Sequence, residues 1–281
     1  MLVIHSQFNS SLKLRKKENS VIGDIGDILL KTFDGPEGET FKNAAATFCC
    51  RQKVALEMFK EKRSKKDSPL HNFLKEAESN SMCRRLQLQD IIPTEMQRLT
   101  KYPLLFENLI KYSENNIEEK KCVTRACERS KEILKRIDEA VKEAADQDQM
   151  AEIQKKLDKS AFEKTEHPMS AEVKNLDLTK RKVIYQGNLN LRITNKQKLI
   201  ELYVLLLEDL IILLQKSHEK YLLQFFPNSA TNTLCPVIKV SNNLLIRHNA
   251  VDNKALYLVD RAQYANQMYD LVAPSMNEKK K

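Results

Sequence analysis

Tryptophan is absent from the 281-residue sequence, and glycine is scarce, with five residues in all. Four of the five glycines precede residue 40, and the stretch from 39 to 186 contains none. Because glycine destabilises helix interiors, a long stretch without it is typical of helical structure. The sequence is 42% hydrophobic and 30% charged, which provides for a core and excludes a collagen-like or wholly disordered chain.

Long apolar runs are also missing. The longest, residues 202–215, contains Glu208 and Asp209 and is too short and too charged to cross a bilayer. At the N-terminus the basic cluster follows a very short apolar run, which reverses the order found in a secretory signal. We therefore expect a cytoplasmic chain.

Residue patterns for metal, cofactor and covalent chemistry do not occur. The six cysteines include no CxxC pair and no histidine at ligand spacing, which predicts reduced packing residues rather than a zinc site. The phosphate-binding, dinucleotide-binding, serine-nucleophile and zinc-protease motifs are absent, and the five histidines are isolated from one another. We expect no cofactor, no metal site and no covalent catalysis.

The sequence carries 47 basic and 38 acidic side chains, a formal net charge of +9. Basic residues alternate with acidic ones along the helical stretches instead of forming one block, and the aromatic residues lie in apolar runs. A nucleic-acid-binding domain concentrates its basic residues in a patch, so we expect no nucleic-acid partner.

Apolar residues recur every three or four positions in three regions, which predicts amphipathic helices. The first begins after the sequence FDGPEG, from Phe41, and ends at the basic stretch KEKRSKKDSP. The second spans about 83–113, with a break expected near Pro93 and a bend near Pro103 because proline lacks a backbone donor. The third runs from 118 to about 160, roughly 60 Å at 1.5 Å per residue.

Beyond Asn175, short apolar runs alternate with polar turns, a pattern typical of an all-β module. Seven strands are predicted, with the sequences VIYQGNLNLRIT, LIELYVLLL, DLIILLQK, KYLLQFF, CPVIKV, NLLIRH and KALYLV. Residues 262–273 resemble the opening of a closing helix. The predicted fold class is multidomain: an N-terminal all-α helical bundle, then a β-barrel with a short C-terminal helix.

One segment, residues 84–114, places charged and polar groups close to prolines within an apolar helix. Gln97, Arg98 and Lys101 stand at i, i+1 and i+4. Gln97 and Lys101 therefore share a helix face and can present donors to one partner surface. The alternative interpretation is a proline-kinked core helix whose polar residues are only solvated.

The run TEMQRLTKYPLLFENLIKYSE resembles the most characteristic helix of the Dbl-homology domain of Rho guanine nucleotide exchange factors. The sequences FDGPEG, EAESNSMCRRLQLQDIIP, LDLTKRKVIYQG, YVLLLEDLIILLQK and VDNKALYLV are similar to the RGS-containing subfamily. The resemblance implies a Dbl-homology domain over residues 1–160 that lacks its first helix, a connector over 161–182, and a pleckstrin-homology domain over 183–281.

The resemblance also implies a GTPase regulator without covalent chemistry. An exchange factor must bind the nucleotide-free GTPase better than the nucleotide-bound form, since equal affinity for both shifts nothing. By resemblance, the contacts to the switch regions of a Rho-family GTPase, most simply a RhoA-like one, come from Gln97, Arg98, Lys101 and Asp138. Asp138 stands where many family members carry asparagine, and it lacks the amide donor.

The family domain normally begins with a helix whose glutamate contacts the first switch, and this sequence starts beyond that helix. The family's RGS-like domain, which receives Gα subunits, has no counterpart either, so a Gα partner is not expected. We expect a fragment or a product truncated at both ends. The alternative function is a non-exchanging GTPase- or phosphoinositide-binding module.

Pleckstrin-homology domains often bind phosphoinositides through basic residues near their early strands, which implies recruitment to the plasma membrane. The candidate lipid-binding residues are Lys180, Arg181, Lys182, Arg192, Lys196 and Lys198. The alternative is that they are ordinary solvated residues. In the related subfamily an exposed apolar strip of this domain engages the activated GTPase, and here Leu256 and Leu258 share one strand face. Alternatively, both leucines face the core.

Overall fold

The computed structural model describes residues 1–18, 21–64, 69–113, 115–193, 198–228, 233–261 and 266–280. The chain divides into two compact units, residues 1–145 and 146–281. Within the described ranges no helix is both long and apolar enough to cross a membrane. The domain limits expected from the sequence, with a connector over 161–182, stay predictions.

The first unit is helical, as predicted. Its helices are α1 (Leu2–Glu18), α2 (Gly26–Phe33), α3 (Gly35–Arg63), α4 (Pro69–Glu78), α5 (Leu88–Tyr112) and α6 (Ile117–Lys156). A short 3-10 helix, Ser81–Cys83, lies between α4 and α5. Helix α6 is 40 residues long, and its last turns, from Asp146, belong to the second unit.

Helix α3 begins earlier than the sequence pattern predicted. It starts at Gly35 rather than near Phe41, so most of the expected FDGPEG turn is helical. Pro36 stands in the first turn, where its missing N–H leaves no intrahelical bond unmade. Gly35 has φ +63°, a left-handed value that suits glycine and lets the chain pass from α2 to α3 across Asp34 alone.

Helix α5 runs without interruption through both of its prolines. The break expected near Pro93 does not occur, and that prediction was wrong. The turn ahead of Pro93 is held by a capping box, in which Gln87 N–H donates to Asp90 Oδ2 at 3.0 Å and the Gln87 side chain accepts from the Asp90 N–H. Pro103 is buried in the helical core, so packing offsets the hydrogen bond that it removes.

An aromatic cluster forms the centre of the helical unit. Phe33 of α2 lies edge-on to Phe41, Tyr102 and Phe106, with ring centroids 5.3, 5.0 and 5.1 Å away. This edge-to-face packing fixes α2, α3 and α5 against one another. Helix α6 completes the core with apolar residues spaced three or four apart, including Val123, Ala126, Cys127, Ile133 and Ile137.

The second unit combines the end of α6 with short helices and strands. Its helices are α7 (Ser160–Glu163), α8 (Ser170–Lys174), a 3-10 helix at Leu178–Lys180, and α9 (Met276–Lys280). The strands are β1 (Leu157–Asp158), β2 (Val183–Ile193), β3 (Lys198–Leu207), β4 (Leu210–Ser217), β5 (Lys220–Leu222), β6 (Phe226–Pro227), β7 (Thr233–Leu234), β8 (Val237–Lys239), β9 (Leu244–His248), β10 (Ala255–Asp260) and β11 (Gln267–Val272).

Nine of the strands form one sheet in the order β1-β5-β4-β3-β2-β11-β10-β9, with β8 pairing with β4. Strands β6 and β7 pair separately. In register, Leu191 of β2 lies opposite Ile200 of β3 and Leu271 of β11, which puts three apolar side chains on one face. All seven predicted strands occur, and a helical unit followed by a β module confirms the predicted fold class.

Strand β11 replaces the closing helix that the sequence predicted over 262–273, and residues 262–265 lie outside the described residues. Tyr269 and Leu271 are buried, whereas Met268, the residue before Tyr269, is 53% exposed, and a strand produces this alternation. Pairing of β11 with β2 and β10 outweighs its weak helical pattern. The short C-terminal helix lies later in the chain, as α9.

Two clusters of buried apolar residues form the core of the second unit. In one, Met150 and Ile153 from the end of α6 pack with Leu205 and Ile212 of the sheet. In the other, the inward faces of β2, β3, β10 and β11 meet around Tyr269. Both clusters draw their buried residues from residue 150 onward, so this unit has a core of its own.

Candidate functional site

Helix α5 has one buried face and one exposed face. The buried face carries Leu99, Tyr102, Pro103 and Phe106. The exposed residues of the opposite face are Gln97, Arg98, Lys101, Leu104 and Leu105. At about 100° per residue, these five lie within about a third of the helix circumference. The structure therefore brings Gln97, Arg98 and Lys101 together and adds two leucines, 52% and 54% exposed, that the sequence pattern did not mark as functional.

A chain of hydrogen bonds that begins on α1 holds Arg98. His5 Nε2 lies 2.5 Å from Glu95 Oε1, and His5 Nδ1 lies 3.3 Å from the Tyr102 hydroxyl. Arg98 Nε donates to the same hydroxyl at 3.2 Å. Burial raises the pKa of the Tyr102 phenol, although Arg98 opposes this, so the hydroxyl keeps its proton at neutral pH.

His5 and Glu95 were not among the residues predicted from the sequence. They lie 90 positions apart, and no local spacing indicates that they meet. The only local signal is on α5 itself, where Glu95, Arg98 and Tyr102 follow one another at i, i+3 and i+7 on adjacent turns. Contacts between α1 and α5 depend on the packed core, which periodicity does not specify.

Asp138, the fourth predicted contact, is exposed on α6. Helices α5 and α6 meet through Cys127 Sγ, which donates to the Pro103 carbonyl at 3.7 Å, and through an ion pair of 2.8 Å between Lys131 and Glu107. The hydrogen bond from Lys131 lowers the pKa of the Glu107 carboxyl. These contacts fix the helix that carries Asp138 against the helix that carries Lys101.

The chemical content of the α5 face suits recognition rather than bond making. Gln97, Arg98 and Lys101 supply an amide, a guanidinium and an ammonium group, and the two leucines supply apolar contact area. In the part of the chain that the structure describes, no group of three or more His, Cys, Asp or Glu side chains could hold a metal ion. An exposed strip of donors beside leucines can bind the surface of another protein.

The structure places both leucines predicted on β10 against the core of the sheet. Leu258 is 3% exposed in the sheet core, and Leu256 packs against the same cluster. Both point inward because Leu258 pairs with Tyr269 and Leu256 with Leu271, whose side chains are buried. The core-facing alternative therefore holds, and the expectation of an exposed strip at these two residues is corrected.

The outer face of β9, β10 and β11 carries the residues that alternate with the inward-facing ones. Val259 lies in register between Leu245 of β9 and Met268 of β11, and Met268 is 53% exposed. Leu245 and Val259 are partly exposed. Side chains alternate between the two faces of a strand, so Val259 faces outward when its neighbour Leu258 faces inward. This alternation is the sequence signal that could have located the strip.

The predicted lipid-binding residues do not form one site. Lys180 and Lys182 are exposed before β2, with Lys180 3.4 Å from Asp177, and Arg181 pairs with Asp209. At the far end of β2, Arg192 donates to Asp252 at 2.6 Å and lies 3.4 Å from Asp270. Lys198 begins β3, and Lys196 lies outside the described residues. The 11 residues of β2 separate the two groups by roughly 35 Å.

Comparison with protein families gives two adjacent matches. The family described as RhoGEF domain matches residues 1–138, and the family described as PH domain matches residues 167–281. The two matched ranges follow the helical part and the strand-rich part of the chain. The α5 face and Asp138 lie inside the first range, and the sheet apart from β1 lies inside the second.

Several curated proteins match almost the whole chain. Human Rho guanine nucleotide exchange factor 12 is 45% identical over 287 residues, which cover 99% of this chain and 18% of that protein. Human Rho guanine nucleotide exchange factor 11 is 42% identical and human Rho guanine nucleotide exchange factor 1 is 41% identical, with 19% and 31% of those proteins covered. The chain thus spans less than a third of the length of these relatives.

Solved structures match in fold as well as in sequence. The DH/PH domains of PDZ-RhoGEF, crystallised in complex with GTP-γ-S-activated RhoA, superpose with a TM-score of 0.88 at 43% identity, covering 99% of this chain and 76% of that one. The DH/PH domains of p115-RhoGEF superpose with a TM-score of 0.84 at 40% identity and the same coverage.

Proposed function

The chain belongs to the family of Rho guanine nucleotide exchange factors, and from that premise we propose that it binds Rho-type small GTPases and accelerates the release of their nucleotide. The observation that carries the proposal is the exposed face of α5, where Gln97, Arg98 and Lys101 lie beside two exposed leucines and opposite a tightly packed core. A related DH/PH fragment has been crystallised with human RhoA, which makes a RhoA-like GTPase the first partner to test.

Nucleotide release requires differential binding and no covalent step. Small GTPases grip the nucleotide phosphates through Mg²⁺ and mobile switch loops. A partner that prefers the nucleotide-free switch arrangement by a factor of about 10⁴ moves the equilibrium from 1:99 to 99:1, whereas equal affinity moves nothing. A rigid helix face with fixed donors can supply such a preference, because it fits one switch arrangement and not the other.

Each residue of the site has a role that follows from its donor or acceptor groups. Lys101 and Arg98 donate to carbonyl or carboxylate oxygens of the switch regions, and Gln97 can both donate and accept. A carboxylate such as that of Asp138 can only accept hydrogen bonds, so its partner on the GTPase must be an N–H, an O–H or a cationic group. Leu104 and Leu105 supply apolar contact beside these donors.

The non-exchanging alternative is not favoured, because residues 1–138 match the model of the RhoGEF domain itself. A second GTPase contact remains part of the proposal. The apolar strip of Leu245, Val259 and Met268 on the outer face of the sheet replaces Leu256 and Leu258 as its candidate. The relative crystallised with activated RhoA is the reason to test this strip with the GTP-bound form.

Phosphoinositide binding and recruitment to the plasma membrane are a separate part of the proposal. Lys180 and Lys182 are its candidates at the start of β2. Arg181 and Arg192 hydrogen-bond to carboxylates and are each 32% exposed, whereas Lys180 is 82% exposed with Asp177 at 3.4 Å. A vesicle sedimentation assay with and without phosphatidylinositol bisphosphate tests it. Equal binding of the wild-type chain and a Lys180→Ala/Lys182→Ala chain would argue against these residues.

The exchange proposal is tested with RhoA loaded with a fluorescent nucleotide. We expect the chain to accelerate nucleotide release, and Lys101→Ala to lower kcat/KM about tenfold, equivalent to about 1.4 kcal/mol. Lys121→Ala is the matched control. It removes a lysine of α6 that is 68% exposed and paired with the exposed Glu118, and should change the rate less than about twofold.

A folded wild-type chain that leaves nucleotide release unchanged would sink the exchange function. If that chain still binds nucleotide-free RhoA in calorimetry, the non-exchanging binding module takes its place. Equal losses for Lys101→Ala and Lys121→Ala would mean that net charge matters rather than the α5 face.

A further inference from the structure

His5 is a residue of α1 that contacts α5 next to Arg98, through Glu95 and Tyr102. Its ring lies edge-on to Phe41 with 5.5 Å between ring centroids, and it stacks with Tyr102 at 6.4 Å. The His5 side chain is only 12% exposed, and both of its ring nitrogens lie within hydrogen-bond distance of α5 side chains. Aromatic rings therefore pack against the His5 ring, and hydrogen bonds hold its nitrogens.

With a neutral His5 ring, one arrangement of protons satisfies every link between Arg98 and Glu95. Arg98 Nε can only donate, so the Tyr102 oxygen accepts from it and the hydroxyl proton goes to His5 Nδ1. His5 then carries its own proton on Nε2 and donates it to the Glu95 carboxylate. The four side chains form one directed chain of hydrogen bonds that ends at an exposed arginine.

The chain of hydrogen bonds fixes Arg98 at its Nε and leaves its outer end available. Within the described ranges, the bond to Tyr102 is the one hydrogen bond recorded for this guanidinium, so the four N–H groups on its terminal nitrogens remain for a partner. A long side chain that is already held loses less conformational freedom when it binds. Arg98 is thus prepared to give a planar fork of donors to a carboxylate or carbonyl oxygen.

We propose that His5 is a positioning residue for GTPase recognition, which holds Tyr102 and through it keeps Arg98 in place to donate to an acceptor on the GTPase. The inference rests on the proposed exchange function. It extends the recognition surface from α5 and α6 to α1, through a residue that itself makes no contact with the GTPase.

A double-mutant cycle in the full 281-residue chain separates positioning from general stability. His5→Phe keeps an aromatic ring against Phe41 and removes both nitrogens, and Arg98→Ala removes the positioned group. We expect His5→Phe to lower kcat/KM for RhoA about five- to tenfold in the chain with Arg98, and less than about twofold in the Arg98→Ala chain. The effect disappears there because nothing is left to position.

Loss of a single hydroxyl group provides a second test with a matched control. Tyr102→Phe breaks the link to both His5 and Arg98 while it retains the buried ring, so we expect it to reproduce the effect of His5→Phe. Tyr185→Phe also removes one hydroxyl group, which donates to Glu278 at 2.5 Å in the second unit, and should leave exchange unchanged. If His5→Phe does not fold, Tyr102→Phe combined with Arg98→Ala completes the cycle.

A structural readout distinguishes positioning from a loss of helix packing. The Arg98 Nε–H resonance in ¹⁵N NMR should be protected from solvent exchange in the wild-type chain and lose this protection in His5→Phe and Tyr102→Phe. If the wild-type chain is active and the fold losses in kcat/KM of the two single variants multiply in the double variant, the two residues act independently. That result would overturn the positioning role of His5 and leave the exchange function standing. A wild-type chain that does not accelerate exchange would overturn the proposed function and this inference with it.

Discussion

At the scale of the residue, burial decides what a substitution on α5 does. Leu99 is 2% exposed in the helical core, and Lys101, two residues later, is exposed on the opposite side. Leu99→Asp places a carboxylate without a partner among apolar side chains, which we expect to cost about 3–5 kcal/mol. Because natural domains are stable by only about 5–15 kcal/mol, the urea midpoint followed by far-UV circular dichroism should fall sharply.

Lys101→Ala provides the comparison for that measurement. It removes an exposed side chain, so the urea midpoint should stay within error of the wild-type value while RhoA exchange falls. Equal loss of helical signal in both variants would contradict the assignment of Leu99 to the core and of Lys101 to the recognition face.

Individual site residues were predictable where one element determines their positions. Gln97 and Lys101 share a face because of helical spacing alone, and the structure exposes both. Leu258 was misplaced because alternation along β10 gives two faces without saying which is inward, and only pairing with buried Tyr269 decides. His5 could not be found at all, because its role depends on a contact with another helix.

At the scale of the element, a carboxylate from α6 caps the start of α2. The residue before α2, Ile25, has no side chain that can cap it. Instead, the buried Glu119 accepts hydrogen bonds from the N–H groups of Ile25 and Gly26 at 2.9 and 3.0 Å. We expect Glu119→Gln to destabilise the first unit by about 1 kcal/mol, measured by urea unfolding, because the amide loses the charge and one acceptor oxygen.

Glu118→Gln is the matched control for this cap. Glu118 is the preceding residue of α6 with its side chain 80% exposed, so its substitution should leave the urea midpoint unchanged. An equal loss in the two variants would mean that charge at the start of α6, rather than the cap on α2, is what matters.

The junction of α2 and α3 predicts a dependence on pH. Arg125 and Arg129 of α6 donate to the Asp34 carboxylate, whose side chain is 17% exposed, and the bond from Arg125 holds the pKa of Asp34 below its usual value. A carboxyl with a lowered folded-state pKa stabilises the protein above its unfolded pKa of about 3.9, and this contribution is lost as the pH falls through the folded value.

We therefore expect Asp34→Asn to lower the urea midpoint at pH 7, and the difference from wild type to shrink below about pH 4. Asp27→Asn serves as control, since Asp27 is 65% exposed in its pair with Arg15 and should matter less. A difference between wild type and Asp34→Asn that stays constant down to pH 3 would exclude the ionised Asp34 carboxylate as its source.

Whole elements were predictable where the pattern is long and strong. Helix α6 repeats its apolar positions over 40 residues, and no tertiary contact was needed to identify it. Strand β11 was mistaken for a helix because a six-residue segment with alanine and methionine nearby fits both the helical and the strand period. Its pairing with β2 and β10 decides in favour of the strand. The prolines of α5 suggested a break, but packing of Pro103 and a capping box ahead of Pro93 keep the helix whole.

At the scale of the whole molecule, the order of a helical unit and a β module followed from glycine usage and periodicity, whereas no sequence pattern marks the boundary between the two compact units. The helical core draws its buried residues from Phe8 to Ile137, and the two clusters of the second unit draw theirs from Met150 onward. The boundary falls inside α6, at a point where the helical pattern of the sequence continues unchanged.

Separate cores predict separate responses to a cavity. Phe41 and Leu205 are both fully buried, one in each unit, and truncation to alanine should cost about 3–5 and 2–5 kcal/mol respectively. We expect hydrogen exchange followed by mass spectrometry to show faster exchange in α2, α3 and α5 for Phe41→Ala, with β2, β3 and β4 unchanged, and the reverse for Leu205→Ala. Faster exchange throughout both units in either variant would mean that the chain opens as one cooperative body, with α6 transmitting the loss from one core to the other.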